Sequence, residues 1–204
     1  MQGHLDSPLT ERGIKQAEEV AEHLVDLPIK AIYSSDLGRA LATAEAVARR
    51  TGLSIIPEPR VRERSLGIFQ GLTEPEVTAR YPAEWERFLT RDPDYRMPGG
   101  ESSRDRVVRS SLALEELGAR HGGEVVVLVT HGGILDGLFR IVTGIPLESP
   151  RKFKIWNGGI SVFSRSSVSD DEAQDTGGLS SGGPAGSGNG WMVDVWGYTG
   201  RIVV

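Results

Sequence analysis

The apolar run Val125–Val129 stops abruptly at Thr130-His131-Gly132-Gly133. A continuous run of this kind, bounded by glycine, is typical of a strand buried on both faces, and the apolar spacing from Ile134 to Val142 predicts a helix after it. His131 is therefore predicted at the carboxyl end of a central strand, where open α/β sheets bind ligands. The backbone N–H groups of Gly132 and Gly133 would begin the helix and offer an anion site. A histidine held there indicates phosphate chemistry.

Composition excludes several classes of protein. A net charge of -5 over 204 residues argues against a nucleic-acid binder, and the absence of cysteine excludes disulfides, thiolate nucleophiles and cysteine metal sites. No apolar run is long enough to span a membrane, and Met1 leads into polar residues rather than a signal peptide. We therefore expect a cytoplasmic protein without membrane contact. The four histidines lack paired ligand spacing, so neither a metal nor another cofactor is expected.

Helical and strand-like segments alternate along the first two thirds of the chain. The predicted helices are Thr10–Asp26 with Thr10 as N-cap, Asp36–Thr51 closed by Gly52, two short helices between Glu74 and Leu89 separated at Pro82, and Ser103–His121; the predicted strands are Lys30–Ser34 and Leu53–Ile56. This alternation predicts a three-layer α/β/α sandwich with a mostly parallel central sheet.

The last third has a different character. Gly159–Arg165 and Trp191–Trp196 alternate apolar and polar residues and are predicted to pair as an antiparallel hairpin. Between them, residues 166–190 are dominated by Ser, Gly, Asp and Ala and are predicted to form a flexible insertion. Trp191–Val204 is too short to fold alone, so residues 1–204 are expected to be a single domain.

Three further groups of residues accompany His131. Arg39 follows a strand end, in the first turn of the next helix, from where its guanidinium could hold a phosphate at the same sheet edge. Glu63 stands between Arg62 and Arg64, which suggests a carboxylate held between cations. Residues 97–102 form a tight turn before a helix. Each group alone has a structural explanation, and a surface ion pair would account for Glu63, so only their combination is informative.

In combination, these motifs resemble the histidine phosphatase superfamily, the phosphoglycerate mutase-like proteins. The matching segments are Gln2-Gly3-His4 continuing to Thr10 with Gly13, Ser35–Ala40 with Thr43-Ala44, Glu63 with Gly67 and Gly71, Pro98–Ser102, Thr130–Gly133, and Asn157 with the final hairpin. The resemblance covers nearly the whole chain apart from the Ser/Gly-rich insertion.

The resemblance implies a mechanism and a set of site residues. In this family a histidine attacks phosphorus, and water then hydrolyses the phosphohistidine. By position, Arg39 matches a phosphate-binding arginine, His131 the second histidine and Glu63 the general acid. Gln2, Gly3 and Gly132 match further phosphate- or substrate-binding positions. The implied partner is a small phosphorylated metabolite, and a homodimer is compatible with the family.

The chain also departs from the family pattern. The family's nucleophile lies in an Arg-His-Gly motif upstream of the segment matched by Gln2-Gly3-His4, and this sequence contains no such motif. We expect the chain to be N-terminally truncated, either because Met1 is an internal methionine of a longer phosphatase, which is the favoured explanation, or because it is a real truncation product. Its first strand would then be missing beside Val125–Val129, which predicts an inactive, poorly stable chain.

Three functional alternatives stay open. A phosphatase is favoured over a mutase, because the stretch between Glu63 and Pro98 is shorter than the insertions with which mutases cover their site. A phosphate or sugar-phosphate sensor would use the same Arg39 and His131 without catalysis. A metal-dependent hydrolase is the weakest alternative, given the histidine spacing.

Overall fold

A parallel three-stranded sheet lies at the centre of the computed structural model, which describes residues 1–165 and 190–200. Its strands are β1 (Ile29–Ser34), β2 (Ile55–Pro57) and β3 (Val125–Val129), in the order β2–β1–β3. Ser34 of β1 pairs with Pro57 of β2 and with Val129 of β3. The carboxyl ends of all three strands therefore meet at one edge of the sheet.

Within the described residues, six α-helices accompany these strands: α1 (Glu11–Leu24), α2 (Gly38–Thr51), α3 (Glu74–Arg80), α4 (Pro82–Leu89), α5 (Ser103–Arg120) and α6 (Gly132–Thr143). Their ends follow the predicted signals. The Thr10 side chain accepts a hydrogen bond from the Gly13 N–H, and Gly52 ends α2 with a φ of 72°. Pro82 separates α3 from α4, as expected from its missing N–H.

The helices cover both faces of the sheet because side chains alternate along β1. Ile32 packs with apolar residues of α1 and α2 on one face. Ala31 and Tyr33 point to the other face, where they pack with Leu117 of α5, and α6 lies beside α5. This arrangement confirms the predicted α/β fold with a parallel central sheet.

The position of β3 differs from the central position that its apolar run predicted, and its second side is the one beside which the family resemblance implies a strand that this sequence lacks. Within the described residues β3 pairs only with β1, so β1 is the central strand and β3 is at an edge. All five residues of β3 are half-buried, whereas a strand buried on both faces was expected. The physical reason is that no described strand pairs with the second side of β3, so its apolar side chains lack neighbours there.

The predicted hairpin forms a separate sheet. Strands β4 (Ile160–Arg165) and β5 (Trp191–Tyr198) pair antiparallel, with Arg165 opposite Trp191. Phe163 packs against the cluster formed by α5 and α6, and Trp191 lies against Gly118 of α5. The hairpin is thus fixed to the helical layer. Of the predicted flexible insertion, residues 166–189 lie outside the described residues.

An aromatic cluster fixes α3 and α4. Phe69 is fully buried and lies 6.1 Å from Trp85 and 5.8 Å from Phe88, measured between ring centroids. Tyr81 packs against the same cluster. Trp85 and Phe88 therefore pack as core contacts in this layer.

Across residues 1–165 and 190–200, no helix combines the length and the apolar character needed to cross a membrane. The longest, α5, has 18 residues and carries charged side chains along its length.

Candidate active site

His131 lies directly beyond the carboxyl end of β3 and forms the N-cap of α6. Its Nε2 atom is 2.7 Å from the hydroxyl oxygen of Ser35, the residue that follows β1. The backbone N–H of Ser35 donates to the carbonyl of Val129, so the pairing of β1 with β3 extends to the site. Only 7% of His131 is exposed. The fold therefore holds the imidazole in one place at the sheet edge.

Burial also sets the charge of this imidazole. Burial, and secondarily the positive charge of Arg39, lower the pKa of His131 from 6.5 to about 4, while the charge of Glu63 acts in the opposite direction. Arg109 and His4 also lower this pKa. His131 is thus neutral near pH 7. Charges of Arg39 and Glu63 can act on His131 only because the fold brings these three residues, far apart in sequence, into one site.

Glu63 lies beside the N-terminus of α6. Its Oε2 accepts a hydrogen bond from the Gly133 N–H at 2.9 Å, and its Oε1 accepts one from the Arg64 N–H at 2.8 Å. A Cβ atom on Gly133 would lie 2.2 Å from the same Oε1, so the glycine provides the space for the carboxylate. The Gly133 N–H, which the sequence analysis expected to bind an external anion, therefore donates to Glu63 instead.

The guanidinium of Arg39 contacts the N-terminal segment. Its Nη2 donates to the Gly3 carbonyl at 2.8 Å and its Nη1 to the Leu5 carbonyl at 3.1 Å. Asp6 of the same segment accepts a hydrogen bond from the Gly38 N–H at the start of α2. Arg39 thus positions residues 3–6 against the site, in addition to any contact with a ligand.

The same segment also reaches the loop that carries Glu63. The His4 N–H donates to Gln70 Oε1 at 2.7 Å, and the His4 Nε2 lies 2.7 Å from the Glu63 carbonyl oxygen. The side chain of Gln2 is exposed and donates to the hydroxyl of Ser7 at 2.7 Å. Gly3 and His4 therefore border the site, whereas the Gln2 side chain is engaged with a neighbour on the segment itself.

Arg109 of α5, which sequence reasoning missed, organises the loop around Glu63. Its Nη1 donates to the carbonyls of Arg60 and Arg62 at 2.6 Å and 2.7 Å, and its Nη2 donates to the Glu63 carbonyl at 3.0 Å. The same guanidinium forms a two-pronged ion pair with Glu101, at 2.8 Å and 2.9 Å. One cation therefore fixes the backbone at Glu63 and on its N-terminal side.

A second arginine of α5, Arg106, is the cation nearest to the Glu63 carboxylate among the ion pairs of the described residues. Its Nη1 lies 4.0 Å from Glu63 Oε1, and its side chain is 12% exposed. Burial lowers the pKa of Arg106, while the charges of Glu63 and Asp136 act to raise it. Arg106 and Arg109 lie three residues apart, on one face of α5. This spacing was the signal in the sequence that the two arginines could act at the same place.

The sequence neighbours of Glu63 do not play the predicted role. Arg62 donates to both carboxylate oxygens of Asp36 and thereby lowers the pKa of that carboxyl. Arg64 is buried and donates to the carbonyls of Tyr95 and Glu101 and to the Ser103 hydroxyl. The expectation of a carboxylate held between these two cations is therefore wrong for the side chains. Adjacent residues in extended backbone point to opposite sides, and α5 supplies the cation instead.

The turn at residues 98–101 supports this loop through close backbone contact. Gly67 has a φ of +48°, and a Cβ atom there would lie 2.1 Å from the Pro98 carbonyl oxygen. The Glu101 N–H donates to the Ser65 carbonyl, and Glu101 Oε2 accepts from the Ser65 N–H, both at 2.9 Å. Through its pair with Arg109, Glu101 joins this turn to the loop that carries Glu63.

Within the part of the chain that the structure describes, no group of three His, Cys, Asp or Glu side chains is arranged to hold a metal ion. The polar groups that converge on the site are instead arginine, histidine and backbone N–H donors around one carboxylate. Such a donor set is suited to the oxygens of a phosphoryl group.

Comparison with known proteins gives consistent matches. The family model of the histidine phosphatase superfamily (branch 1) matches residues 1–169. Phosphoglycerate mutase-like protein 4 of Arabidopsis thaliana is 39% identical over 167 residues, covering 80% of this chain and 71% of that protein. The metal-independent phosphoserine phosphatase of the same plant is 36% identical over 166 residues, covering 79% of this chain and 68% of that protein.

A solved structure matches the fold over the full chain. The mycobacterial glucosyl-3-phosphoglycerate phosphatase in complex with inorganic phosphate superimposes with a TM-score of 0.76 at 32% identity, covering 100% of this chain and 93% of that one.

Proposed function

The chain belongs to the histidine phosphatase superfamily, and we propose that its site binds the phosphoryl group of a small phosphorylated metabolite for hydrolysis. The observation that carries this proposal is the geometry at the carboxyl edge of the sheet: His131 caps α6, Glu63 accepts the Gly133 N–H of the same helix end, and Arg39 holds the segment whose His4 ring contacts the Glu63 carbonyl. A cation, an imidazole and a carboxylate in one site supply the donors and the proton that phosphoryl transfer needs.

The three side chains have different proposed roles. Arg39 and His131 donate to the equatorial oxygens of the transferring group, where negative charge is spread in the transition state. Because His131 is neutral in the free site, a bound dianion would favour its protonation and so create a second positive donor. Glu63 takes up a proton from solvent as the substrate binds and supplies it to the departing alkoxide, which leaves an ionised carboxylate beside the phosphate after transfer.

The nucleophile is proposed to be a histidine of an Arg-His-Gly segment joined ahead of Gln2. Of the histidines in this sequence, His4 and His131 border the site. The His4 ring is engaged with the Glu63 carbonyl, and the His131 ring with the Ser35 hydroxyl. We therefore expect the 204-residue chain to bind phosphate with little or no turnover.

Water is the proposed acceptor of the phosphoryl group. Two of the similar proteins are named as phosphatases, for phosphoserine and for glucosyl-3-phosphoglycerate. The helices α3 and α4, which form the layer between Glu63 and Pro98, have only seven and eight residues. A phosphoglycerate mutase-type transferase is the second candidate, supported by the mutase-like name of another relative.

The proposal is tested with para-nitrophenyl phosphate and with inorganic phosphate, on this chain and on a version extended upstream by a strand that ends in Arg-His-Gly. We expect phosphate binding in both and turnover only in the extended version, unaffected by a chelator. Transfer of the phosphoryl group from one phosphoglycerate to another would identify the mutase instead. Phosphate binding without turnover in both would identify a sensor, and no binding in either would refute the site.

A further inference from the structure

A negative charge stands where a phosphate dianion is proposed to bind. The Glu63 carboxylate accepts hydrogen bonds from the N–H groups of Gly133 and Arg64, and its side chain is only 23% exposed. Two negative charges a few ångströms apart repel strongly in a site with little water. A site that binds a dianion next to Glu63 therefore needs a cation dedicated to this carboxylate.

Other cations around the loop are committed elsewhere. Arg62 pairs with Asp36, and Arg109 pairs with Glu101 and binds three backbone carbonyls. Arg64 donates to two carbonyls and the Ser103 hydroxyl. None of these three side chains has a carboxylate oxygen of Glu63 among its hydrogen-bond or ion-pair contacts.

Arg106 differs from them. Its Nη1 lies 4.0 Å from Glu63 Oε1 and 2.8 Å from the position of a Cβ atom on Gly133, so it reaches the N-terminus of α6 behind the carboxylate. Its Nε is buried and has no hydrogen-bond partner among the described residues, and the same holds for the Oδ1 of Asp136. A buried donor left unpaired is destabilising, so packing does not explain why an arginine stands here.

We propose that Arg106 is the counter-charge that neutralises Glu63 and thereby allows a phosphate dianion to bind beside it. This inference rests on the proposed function and adds a specificity-determining residue to it. Arg106 is a positioning residue in this account, because it acts on the ligand through Glu63. Without Arg106, the site keeps its donors but presents an uncompensated carboxylate to the anion.

Two simpler roles predict different behaviour. If Arg106 bound the phosphate directly, its removal would weaken binding whether or not Glu63 carried a charge. If Arg106 only supported the fold, the loss of Arg106 would weaken phosphate binding, and removal of the Glu63 charge would not restore that binding. A double-variant cycle between the two residues therefore isolates the charge compensation.

The test is a calorimetric titration of the 204-residue chain with inorganic phosphate at pH 7.5, in the wild type, Arg106→Met, Glu63→Gln and the double variant. We expect Arg106→Met to weaken phosphate binding about tenfold or more, and Glu63→Gln/Arg106→Met to return to within about threefold of wild type. The matched control is Arg104→Met, on the same helix, whose guanidinium pairs with exposed Asp94. It should bind as the wild type does.

The inference is overturned if Arg106→Met binds phosphate as tightly as wild type, or if the double variant stays as weak as Arg106→Met. Circular dichroism reports whether each variant folds. If Arg106→Met does not fold, the test uses Arg106→Lys and the double variant. The inference predicts that both bind phosphate within about threefold of wild type, and a tenfold loss of affinity in either overturns it. If the wild type does not bind phosphate, the proposed function and this inference are both refuted. That result is distinguishable from a failure of the inference alone, in which the wild type binds phosphate.

Discussion

The Nε2 atom of His131 lies 2.7 Å from the hydroxyl oxygen of Ser35, and this contact joins the carboxyl ends of β1 and β3. The hydroxyl also receives the Leu37 N–H at 3.3 Å, so it is itself held by the turn into α2. A buried ring with a fixed partner retains its orientation without a ligand. The free site therefore holds a neutral, oriented imidazole that a bound anion would help to charge.

Acidification should destabilise the chain through His131. Burial lowers its pKa to about 4 in the folded state, whereas the unfolded value is 6.5, so the unfolded chain binds the proton more readily. This contribution to stability is fully present above pH 6.5 and is lost as the pH falls from 6.5 towards 4. Between pH 7 and pH 5 the free energy of unfolding should fall by about 2 kcal/mol from this group.

Urea unfolding at the two pH values measures this loss. The control is His131→Gln, whose amide does not titrate, and its stability should fall by about 2 kcal/mol less over the same interval. An equal fall in both proteins would show that His131 does not carry the effect.

Arg39 should be required for turnover in a chain extended by the Arg-His-Gly strand. Arg39→Ala removes a cation from the site and releases the Gly3 and Leu5 carbonyls, so kcat should fall about 100-fold or more. His131→Ala should have an effect of similar size. The matched control on α2 is Arg49→Ala, whose exposed side chain pairs with Glu18. Near-normal rates for Arg39→Ala would remove this residue from the site.

Periodic apolar patterns predicted the elements well, because burial of one face determines them. The Thr10 cap, the break at Pro82 and the pairing of β4 with β5 were all visible in local sequence. The apolar run of β3 alone did not indicate its edge position, since such a run does not reveal how many neighbours a strand has. The family resemblance did, because the strand expected beside Val125–Val129 is not matched in this sequence.

The predicted site residues were those with motif-like surroundings, and the missed ones lacked them. Arg106 and Arg109 lie in the middle of a charged helix, where surface arginines are the usual expectation. Their importance arises from the path of the loop at residues 60–63, which packs against α5. Such a contact between distant segments leaves no local signal in the sequence beyond the three-residue spacing of the two arginines.

Gly133→Ala should disrupt the site. The added Cβ would lie 2.2 Å from Glu63 Oε1 and 2.8 Å from Arg106 Nη1, so the carboxylate must leave its hydrogen bond with the Gly133 N–H. We expect phosphate binding to weaken about tenfold, together with a loss of about 1–3 kcal/mol in stability. Gly122→Ala is the control, because no atom of the described part of the chain lies within 4 Å of its added Cβ. Comparable behaviour of the two variants would contradict the contact between Gly133 and Glu63.

Arg109→Leu, a change on α5, should strongly destabilise the loop around Glu63. It leaves Glu101 without its ion-pair partner and three backbone carbonyls without a donor. The free energy of unfolding should fall by about 3 kcal/mol, since breaking a largely buried pair leaves an uncompensated charge. Arg104→Leu, which breaks an exposed pair with Asp94, should lower it by less than about 1 kcal/mol. Chemical denaturation of the two variants compares these values, and similar losses would show that Arg109 does not organise the loop.

The edge of β3 should limit the stability of the 204-residue chain. Its five apolar residues are half-buried, and among the described residues only β1 pairs with this strand, so one side presents unpaired backbone groups beside an apolar surface. Such an edge favours pairing with another chain, and the half-exposed core contributes less to folding. We expect a melting midpoint below about 45 °C and light scattering that rises with protein concentration on heating. The matched comparison is the chain extended upstream by a strand, which should melt higher and scatter less. A reversible transition of the 204-residue chain between about 45 and 65 °C, independent of concentration, would show that the edge of β3 does not weaken the fold.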